Sequence, residues 1–505
     1  MSEANLGSYM AQGLVDQLRA QGVTAARLSN DSRKVRPGDV FVAYPGQATD
    51  GRAYIGAALE KGAAGVLWEN AGFAWNPAWK AANVGVDGLR AFSGHLAHLV
   101  YGRPSERLSL VGITGTNGKT TCSQWLAQAL SAAGKSCAVV GTLGNGFPGA
   151  LAEAANTTPD ALALHALLAD YVAHGAKACA MEVSSIGLEQ QRCNGARFAV
   201  AVFTNLTRDH LDYHGTMEAY AAAKEHLFAW PELNEAVINL DDPFGRKLMA
   251  DTTATLRIGY TLNNNSVPEA DWLLRAENLQ HTAAGLSFSL VAPQGQAMVN
   301  TGLVGRYNVS NLLAVAGTLL ALGQPLDQVA ERLSALLPPA GRMQRLGGEG
   351  EPLVVVDYAH SPDALENALL ALREVAQARG GRLVCVFGCG GDRDKGKRPQ
   401  MGAIAARLAD AVLLTSDNPR REDPLAILAD IRAGAPEASM EADREMAVTS
   451  AVQGADPADV VLVAGKGHEP YQEIAGRDGA LERRPYSDIE AVARALQQRA
   501  GSMSK

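Results

Sequence analysis

The stretch "LVGITGTNGKTTCSQWL", residues 110–126, places two glycines, a lysine and two threonines where an apolar run ends. Glycines let backbone N–H groups approach phosphate oxygens closely, and the N-terminus of a following helix favours negative charge. Lys119 supplies a point charge, and the hydroxyl of Thr120 is a suitable ligand for Mg²⁺. The segment therefore predicts a strand, a phosphate-binding turn and a helix that ends near Gly134.

The match to the pattern G-x-x-x-x-G-K-[ST] is imperfect, because Ile113 stands at the place of the first glycine. A glycine-rich turn with a solvated lysine is the ordinary alternative. The flanking strand and helix patterns favour the phosphate site, since they supply the context that such a loop requires.

Acidic and histidine side chains follow the next apolar runs. Glu182 stands in "MEVSSIGL", and "TNLTRDHLDYHG" carries Asp209, His210, Asp212 and His214. Ligands of open parallel sheets gather at the carboxyl ends of the strands, so these groups are expected to face the same crevice as the phosphate loop. There they would coordinate Mg²⁺ and hold a terminal phosphate, although a glutamate after a strand also serves as a turn residue or helix cap.

The elements that position these groups alternate along the chain. Short apolar runs separated by helical patterns predict an α/β fold with a mostly parallel sheet covered on both faces. Pro104 in "YGRPSERL", and Pro338 with Pro339 in "LLPPAGRMQR", interrupt this rhythm. We therefore expect three domains, the central one with the phosphate loop and the last one Rossmann-like, at residues 1–103, 104–337 and 338–505.

Composition excludes several classes of protein. The chain has 505 residues, 47% of them hydrophobic, and 45 basic against 53 acidic residues give a net charge of −8, so nucleic acid is not an expected partner. The six cysteines form no CxxC pair and indicate neither a disulfide framework nor a zinc site. The start "MSEANLGSYMAQGL" lacks a signal-peptide pattern and no 18-residue apolar span occurs, so the cytoplasm is the expected location.

These motifs and others, in this order, resemble those of the Mur ligase family of ATP-dependent amide ligases. The resemblance spans almost the whole chain. It rests on the segments "DSRKVRPGDVFVAYPG", "GTNGKTT", "NTTPD", "MEVSSIGLEQQR", "TNLTRDHLDYHG", "GRYNVSNLLA", "GRMQ", "DYAHSPDAL", "GCGGDRDKGKRP", "SDNPR" and "GKGHE".

The resemblance implies a nucleotide and metal site in the central domain. The positions that match the ATP contacts of the family are Gly115, Thr116, Asn117, Gly118, Lys119, Thr120, Thr121, Asn308, Arg342 and, at the ribose, Asp357. Magnesium, with two ions expected, would be held at the positions of Thr120, Glu182 and His210. A helical lysine of the family is carbamylated by CO₂ and helps to hold the second ion, and Lys224 in "YAAAKEHLF" matches it. A solvated lysine would otherwise be the ordinary interpretation.

The resemblance also implies the other substrate, the UDP-N-acetylmuramoyl-L-alanyl-D-glutamate (UDP-MurNAc-L-Ala-D-Glu) that an N-terminal domain would bind. The matching positions are Asn30 and Ser32 on the uridine side, and Asn156, Thr157, Thr158, Ser184, Gln190 and Arg192 around the muramoyl-dipeptide. Polar turns of this composition also serve as simple caps.

A C-terminal domain of the family binds the incoming amino acid, and the loop sequence DNPR implies meso-2,6-diaminopimelate rather than L-lysine. The matching positions are Arg393, Asp417, Asn418, Pro419, Arg420, Gly465 and Glu469. A guanidinium binds the second carboxylate of diaminopimelate in a bidentate manner and would repel the ammonium of lysine. Glu469 suits the distal ammonium. Without the resemblance, Arg420 would be taken for a surface arginine.

The implied reaction converts a carboxylate to an acyl phosphate, which the amine of the amino acid then attacks. Lys119 and Mg²⁺ would stabilise the charge on the transferring group, and Lys224 would act as the carbamylated catalytic residue. Closure of the C-terminal domain would assemble the site, and a monomer is expected. Two alternatives stay open: a related ligase such as a folylpolyglutamate synthetase or another Mur ligase, and a phosphate-loop ATPase that makes no bond.

Overall fold

The computed structural model describes residues 3–46, 49–265, 267–282, 285–476 and 479–503. Three sheets follow one another along the chain, and a two-stranded ribbon lies near its C-terminal end. The predicted α/β class is confirmed, since the large central sheet is mostly parallel. The predicted divisions after residues 103 and 337 fall between the sheets, and as domain boundaries they stay predictions.

The first sheet has four parallel strands in the order β1-β2-β3-β4. Helices α1 and α3 pack against each other and cover one face of it. The elements are α1 (Glu3–Ala20), β1 (Leu28–Ser29), β2 (Val40–Ala43), α2 (Ile55–Glu60), β3 (Gly65–Glu69), β4 (Ala82–Val86) and α3 (Leu89–Val100).

The second sheet has eleven strands in the order β15-β14-β13-β12-β11-β10-β5-β9-β6-β7-β8. Its strands are β5 (Ser109–Thr114), β6 (Cys137–Gly141), β7 (Gly144–Phe147), β8 (Ala150–Ala152), β9 (Ala178–Glu182), β10 (Val200–Phe203), β11 (Glu235–Asn239), β12 (Leu256–Thr261), β13 (Trp272–Thr282), β14 (Gly285–Ala292) and β15 (Gly295–Thr301). Its helices are α4 (Lys119–Ala132), α5 (Ala161–Ala173), α6 (Ser185–Glu189), α7 (Leu211–His214), α8 (Met217–Glu225), α9 (Pro243–Asp251), α10 (Arg306–Ala321) and α11 (Leu326–Ser334).

Strand β5 shows why the central run is apolar throughout. Val111 and Ile113 pack with α4 and α10 on one face, whereas Leu110 packs with α5 and α9 on the other. Both faces of the strand are therefore buried, as expected for the inner strand of a parallel sheet.

The third sheet has the order β16-β17-β21-β18-β19-β20, and only its edge strand β16 is antiparallel to its neighbour. Helices α12 to α14 pack on one face, and α15 and α16 on the other. The elements are β16 (Gln344–Gly347), β17 (Leu353–Asp357), α12 (Pro362–Arg379), β18 (Leu383–Phe387), α13 (Lys397–Leu408), β19 (Ala411–Leu414), α14 (Pro424–Arg432), β20 (Ser439–Met440), α15 (Arg444–Gly454), β21 (Val460–Ala464), β22 (Tyr471–Ala475), β23 (Leu481–Pro485) and α16 (Asp488–Met503); β22 and β23 form the antiparallel ribbon.

Two further observations bear on the predictions from composition. The six cysteines are free and buried. Across the described ranges, every helix falls short of the length or the apolar character needed to cross a lipid bilayer.

The first and second sheets meet at a close backbone contact between α3 and the loop that follows α6. A Cβ atom on Gly94 would lie 1.9 Å from the carbonyl oxygen of Asn194. Asn194 Nδ2 donates to the carbonyl of Ala91 at 3.1 Å, and the same Asn194 carbonyl oxygen lies 3.0 Å from Nε2 of His165 in α5. Glycine is therefore needed at position 94 for the two sheets to pack as they do.

Gly94→Ala should lower the free energy of unfolding by about 1–3 kcal/mol, because the added methyl group must displace the Asn194 loop. Gly13→Ala in α1 is the matched control, since a methyl group there meets no atom within 4 Å. It should be neutral or stabilise the protein by up to about 1 kcal/mol through helix propensity. Urea unfolding measures both differences, and a Gly94→Ala variant as stable as the parent chain would contradict this packing.

Candidate active site

The predicted phosphate loop joins the end of β5 to the start of α4. Gly115 and Gly118 have φ angles of 144° and 88°, which glycine adopts at little cost. A Cβ atom on Gly115 would lie 1.9 Å from the Thr204 hydroxyl, just after β10. No side chain caps α4 at Gly118, so the N–H groups of its first turn remain available to an anion.

Lys119 folds back over this loop. Its Nζ donates to the carbonyl oxygens of Gly115 and Thr116 at 2.7 and 2.8 Å. Burial lowers the pKa of Lys119, against the opposing effect of the Glu182 and Asp209 carboxylates. The ammonium is thus held at the loop, where a phosphate oxygen would compete with two carbonyl dipoles for it.

Glu182, the last residue of β9, is buried beside the loop. Its Oε2 accepts hydrogen bonds from the hydroxyls of Thr120 and Thr142 at 2.8 and 3.1 Å, and its Oε1 accepts one from the Thr142 N–H at 2.8 Å. The Thr142 hydroxyl also lies 3.1 Å from that of Thr157. The carboxylate and two threonine hydroxyls therefore form one oxygen-rich cluster.

Lys224 in α8 is 1% exposed, which contradicts the solvated alternative. Its Nζ donates to the carbonyl oxygen of Gly115 at 3.0 Å and lies 4.3 Å from the centroid of the Tyr220 ring. Burial, helped by the charge of Lys119, holds the pKa of Lys224 well below its usual range. The predicted carbamylation site therefore lies directly behind the phosphate loop.

The loop between β10 and α7 ends at His210, and α7 itself ends at His214. His210 has a φ angle of 53°, unusual for a residue other than glycine, and its Nε2 lies 3.6 Å from a carboxylate oxygen of Asp209. Burial lowers the pKa of His210 to about 4, so its imidazole is neutral at pH 7. His214 turns away, with its Nε2 2.9 Å from the hydroxyl of Ser185.

One cavity of about 270 Å³ brings most of the predicted catalytic and metal residues together with those predicted for the dipeptide. The predicted residues that line it are Thr116, Asn117, Gly118, Lys119, Thr120, Thr121, Asn156, Thr157, Thr158, Glu182, Ser184, Arg192, Asp209, His210, Lys224 and Arg342, whereas Asp212 and His214 are not among the lining residues. Most of them follow the carboxyl ends of β5, β9 and β10, as expected from strand order. The exceptions are residues 156–158, which precede α5, Lys224 in α8, and Arg342, which precedes β16.

A second cavity, of about 240 Å³, adjoins the first on the other side of the phosphate loop. The predicted nucleotide residues that line it are Asn117, Gly118, Thr121, Asn308, Arg342 and Asp357. The carboxylate of Asp357 accepts a hydrogen bond from the Met343 N–H at 2.7 Å, and burial raises its pKa. Arg342 belongs to both cavities, and its Nη2 donates to the Thr120 hydroxyl at 3.2 Å.

The predicted substrate residues form two connected groups. The Thr158 hydroxyl donates to the Glu182 carbonyl oxygen at 3.0 Å and lies 3.0 Å from the Ser184 hydroxyl. Arg192 donates from Nη2 to the side-chain oxygen of Gln190 at 2.7 Å and from Nη1 to the Thr158 carbonyl at 2.8 Å. These residues are therefore ordered before any substrate arrives.

A third cavity, of about 290 Å³, extends this group toward the first sheet. Of the predicted residues it is lined by Asn30, Asn156, Gln190 and Arg192. Asn30 Nδ2 donates to the hydroxyl of Tyr44, also in the lining, at 3.3 Å. Ser32 begins a short 3₁₀ helix and is not among the lining residues, so the structure does not bring it to this cavity.

The residues predicted for the amino acid lie on three loops of the third sheet, which follow β18, β19 and β21. Asn418 Nδ2 donates to Glu469 Oε2 at 2.9 Å, and Glu469 Oε1 accepts from the Tyr358 hydroxyl at 3.4 Å. Because Tyr358 lines the cavities at the phosphate loop, Glu469 faces the site of the predicted chemistry. A Cβ atom on Gly465 would lie 2.6 Å from a carboxylate oxygen of Asp417, so these loops are also packed closely.

Arg420 follows Pro419 with a strained φ angle of 52° and is held on two sides. Its Nε donates to Glu473 at 2.8 Å and its Nη1 to the carbonyl of Gly391 at 2.8 Å. Nη2 makes no hydrogen bond within the described part of the chain. A Cβ atom on Gly390 would lie 2.9 Å from Arg420 Nη1 and 3.7 Å from Arg393 Cγ, so the two predicted arginines are neighbours.

Several side chains that line these cavities were not predicted from the sequence. They are Thr142, Tyr358, His360 and Asp363, and the buried Lys466 beside Asn418 was not predicted either. Thr142 follows the carboxyl end of β6, beside β9, and strand order alone would have indicated it. Asp363 accepts a hydrogen bond from Asn117 Nδ2 at 2.9 Å across two sheets, a contact with no signal in a single sequence.

The fold and these cavities define a three-sheet nucleotide-dependent ligase, and the chain belongs to the Mur ligase family. Three family models match successive parts of it. They are the Mur ligase family, catalytic domain, at residues 24–101, the Mur ligase middle domain at 113–319, and the Mur ligase, glutamate ligase domain at 341–467.

Individual relatives make the similarity more specific. The UDP-N-acetylmuramoyl-L-alanyl-D-glutamate–2,6-diaminopimelate ligase of Chromobacterium violaceum is 54% identical over 484 residues, which cover 95% of this chain and 96% of that protein. The protein of the same name from Pseudomonas aeruginosa is 53% identical over 472 residues, covering 93% and 94%. A solved structure described by that name is 38% identical, with a TM-score of 0.66, and the match covers 94% and 96% of the two chains.

Lys224→Met should raise the free energy of unfolding or leave it unchanged, although the residue lies at the centre of the site. An ammonium buried against one carbonyl and one ring costs free energy that a methionine of similar length would not, and such replacements stabilise by roughly 1–4 kcal/mol. Lys135→Met, at an exposed position, is the control and should change stability by less than about 0.5 kcal/mol. Urea unfolding of both variants is the measurement, and a marked loss of stability in Lys224→Met would show that the lysine is structural.

Proposed function

We propose that the protein is an ATP-dependent ligase that adds meso-2,6-diaminopimelate to the D-glutamate γ-carboxyl of UDP-MurNAc-L-Ala-D-Glu, in the synthesis of peptidoglycan precursors. The observation that carries the proposal is the position of the phosphate loop between two cavities. Asn117, Gly118, Thr121 and Arg342 line both the cavity with the predicted nucleotide residues and the cavity with the predicted dipeptide residues. A terminal phosphate held on this loop lies within reach of an acid bound beside it.

The first step transfers the γ-phosphate of ATP to the substrate carboxylate. A carboxylate oxygen attacks the phosphorus, the bond to ADP breaks, and an acyl phosphate forms. Lys119 and the N-terminus of α4 favour the negative charge that spreads over the transferring group. Arg342, whose guanidinium lies over the Tyr358 ring at 4.4 Å, adds a fixed cation at the junction of the cavities.

The residues at this loop fit magnesium. The hydroxyl of Thr120 and the carboxylate of Glu182 offer hard oxygen donors 2.8 Å apart, and the neutral imidazole of His210 lines the same cavity. Within the described ranges, no group of three or more His, Cys, Asp or Glu side chains forms a metal cluster by itself, so phosphate oxygens and a modified lysine would complete the coordination. Bound Mg²⁺, with two ions proposed, neutralises charge on the phosphates.

Lys224 is the proposed site of a carbamate. Its amine is buried behind the phosphate loop with one carbonyl and one ring as partners, so carbamylation by CO₂ would replace a poorly compensated cation by an anion. Beside bound Mg²⁺, the negative carbamate would be more favourable than the positive ammonium of the unmodified lysine. The intact mass of the protein at neutral pH, before and after removal of bicarbonate, reports the modification directly.

The second step joins the amino acid. The neutral amine of diaminopimelate attacks the carbonyl carbon of the acyl phosphate, the tetrahedral intermediate expels phosphate, and the amine loses its proton. Glu469 is proposed to bind the distal ammonium, since it accepts a hydrogen bond from the Tyr358 hydroxyl. Arg420 is proposed to bind the distal carboxylate, since it is two residues from Asn418, which donates to Glu469. Closure of the third sheet over the loop would exclude water from the intermediate.

The domain division at residues 103 and 337, a monomeric state and a location in the cytoplasm belong to the same proposal. Asn30 and Ser32 are assigned to the uridine side by the resemblance.

The function is tested by measuring ADP release from ATP in the presence of UDP-MurNAc-L-Ala-D-Glu. Three reactions are compared, with diaminopimelate, with lysine and with neither amino acid. Rapid release is expected only with diaminopimelate. Of the two amino acids, only diaminopimelate has both a distal ammonium for Glu469 and a distal carboxylate for Arg420. A folylpolyglutamate synthetase or a different Mur ligase would be inactive with this pair of substrates. Equal turnover with neither amine would instead indicate an ATPase.

Arg420→Ala should raise the KM for diaminopimelate about 10- to 100-fold and leave the KM for ATP within twofold, since it removes a charged hydrogen-bond partner of one substrate. Arg421→Ala is the matched control, because Arg421 is the next residue and its side chain is 62% exposed. Steady-state kinetics with each substrate varied in turn gives both constants. An unchanged KM for diaminopimelate in Arg420→Ala would remove the assigned role.

A further inference from the structure

Lys466 lies in the loop after β21, which also carries Gly465 and Glu469, and its fully buried side chain reaches the loop that carries Asp417 and Asn418. Nζ donates to Asn418 Oδ1 and to Glu469 Oε2, each at 2.9 Å, and lies 4.0 Å from a carboxylate oxygen of Asp417. With no exposed surface, this ammonium does not itself contact a substrate. Its effect must pass through the side chains that it holds.

Stability does not account for a lysine at this position. Removing an ammonium from water costs several kcal/mol, and a buried ion pair is often no more stable than apolar side chains of the same size. Asn418 and Glu469 are also bonded to each other at 2.9 Å, so the lysine completes a triangle of hydrogen bonds. Such a triangle leaves each side chain a single orientation.

A separate buried ion pair keeps the backbone of these loops together. Arg444 pairs with Asp488 at 2.8 Å and donates to the carbonyl oxygens of Ser416 and Ala464, at 3.1 and 2.8 Å. These carbonyls immediately precede Asp417 and Gly465. The loops therefore retain a support of their own when the charge of Lys466 is removed.

The triangle also determines which atoms of Glu469 remain for a ligand. Oε2 is occupied by Lys466 and Asn418, whereas Oε1 has, among the described residues, one long contact, to the Tyr358 hydroxyl at 3.4 Å. Burial raises the pKa of the Glu469 carboxyl, but the charge and hydrogen bond of Lys466 outweigh this effect and hold the pKa below its ordinary value. Oε1 is thus the oxygen of an ionised carboxylate that points toward the cavities.

We propose that Lys466 is a positioning residue for the incoming diamino acid, which orients Asn418 and keeps Glu469 Oε1 free and charged for the substrate ammonium. The inference rests on the proposed function. It adds a residue that touches no substrate and that sets the affinity for one substrate only.

Lys466→Met should raise the KM for diaminopimelate about 10- to 100-fold, the usual effect of losing a charged hydrogen bond, and leave the KM for ATP and for UDP-MurNAc-L-Ala-D-Glu within twofold. Lys135→Met makes the same substitution at an exposed position and should match the parent chain. Lys466→Gln keeps a hydrogen-bond donor without the charge and serves the same test if the methionine variant does not fold. A parallel rise in all three KM values would overturn the proposal, because it would indicate a purely structural role.

A double-mutant cycle with Glu469→Gln tests whether Lys466 acts through Glu469. Because Lys466 also orients Asn418, the KM for diaminopimelate in the double variant should lie between that of Glu469→Gln alone and the product of the two single effects. Effects that multiply fully would show that Lys466 and Glu469 act independently and would overturn the proposal. The activity of the parent chain distinguishes a failure of the proposed function from a failure of the role proposed for Lys466. If it does not turn over diaminopimelate the proposed function fails, and if it does while Lys466→Met keeps the parental KM only this inference fails.

Discussion

The parallel pairing of β10, β5 and β9 is the constraint on which the rest of the site depends. In this register Thr114 pairs with Phe203, and Ile113 pairs with Glu182, so the three strands end at one edge of the sheet. This pairing by itself brings together the phosphate loop, the carboxylate of Glu182 and the loop that ends at His210. A shift of one residue in the pairing of β5 with β9 would turn Glu182 to the other face of the sheet.

Buried lysines lie at the phosphate loop and at the loops predicted to bind the amino acid. Lys119 and Lys224 both donate to the Gly115 carbonyl, and Lys466 is placed against a carboxylate and an amide. Of these three lysines, only Lys466 forms an ion pair in the described part of the chain, with Glu469 at 2.9 Å, whereas Lys119 and Lys224 donate to backbone carbonyl oxygens. Burying these lysines lowers the stability of the catalytic loops, whereas the ion pair between Arg444 and Asp488 stabilises the fold beneath them.

The sequence predicted the parts of the fold with a strong local signal. The apolar runs that predict strands, among them β5, β9, β10, β17 and β21, all form strands, and residues at or after the ends of β5, β9, β10 and β17 line the cavities. Strand β14 was overlooked, although "GLSFSLVA" alternates between buried and half-buried residues over most of its length. Contacts such as that of Arg342 with Thr120, 222 residues apart, depend on how the sheets pack and leave no trace in one sequence.

The close contact of Gly94 with Asn194 has a consequence for the order in which reactants arrive. It fixes the first sheet to the second, whereas the third sheet reaches the phosphate loop through side chains, such as Asp363 to Asn117 at 2.9 Å. The residues proposed for the sugar nucleotide therefore lie on a single body. Those proposed for diaminopimelate lie on loops of the third sheet, and those for ATP, such as Arg342 and Asp357, are shared between the second and third sheets. This arrangement favours an order of addition in which the amino acid enters after the sugar nucleotide is seated.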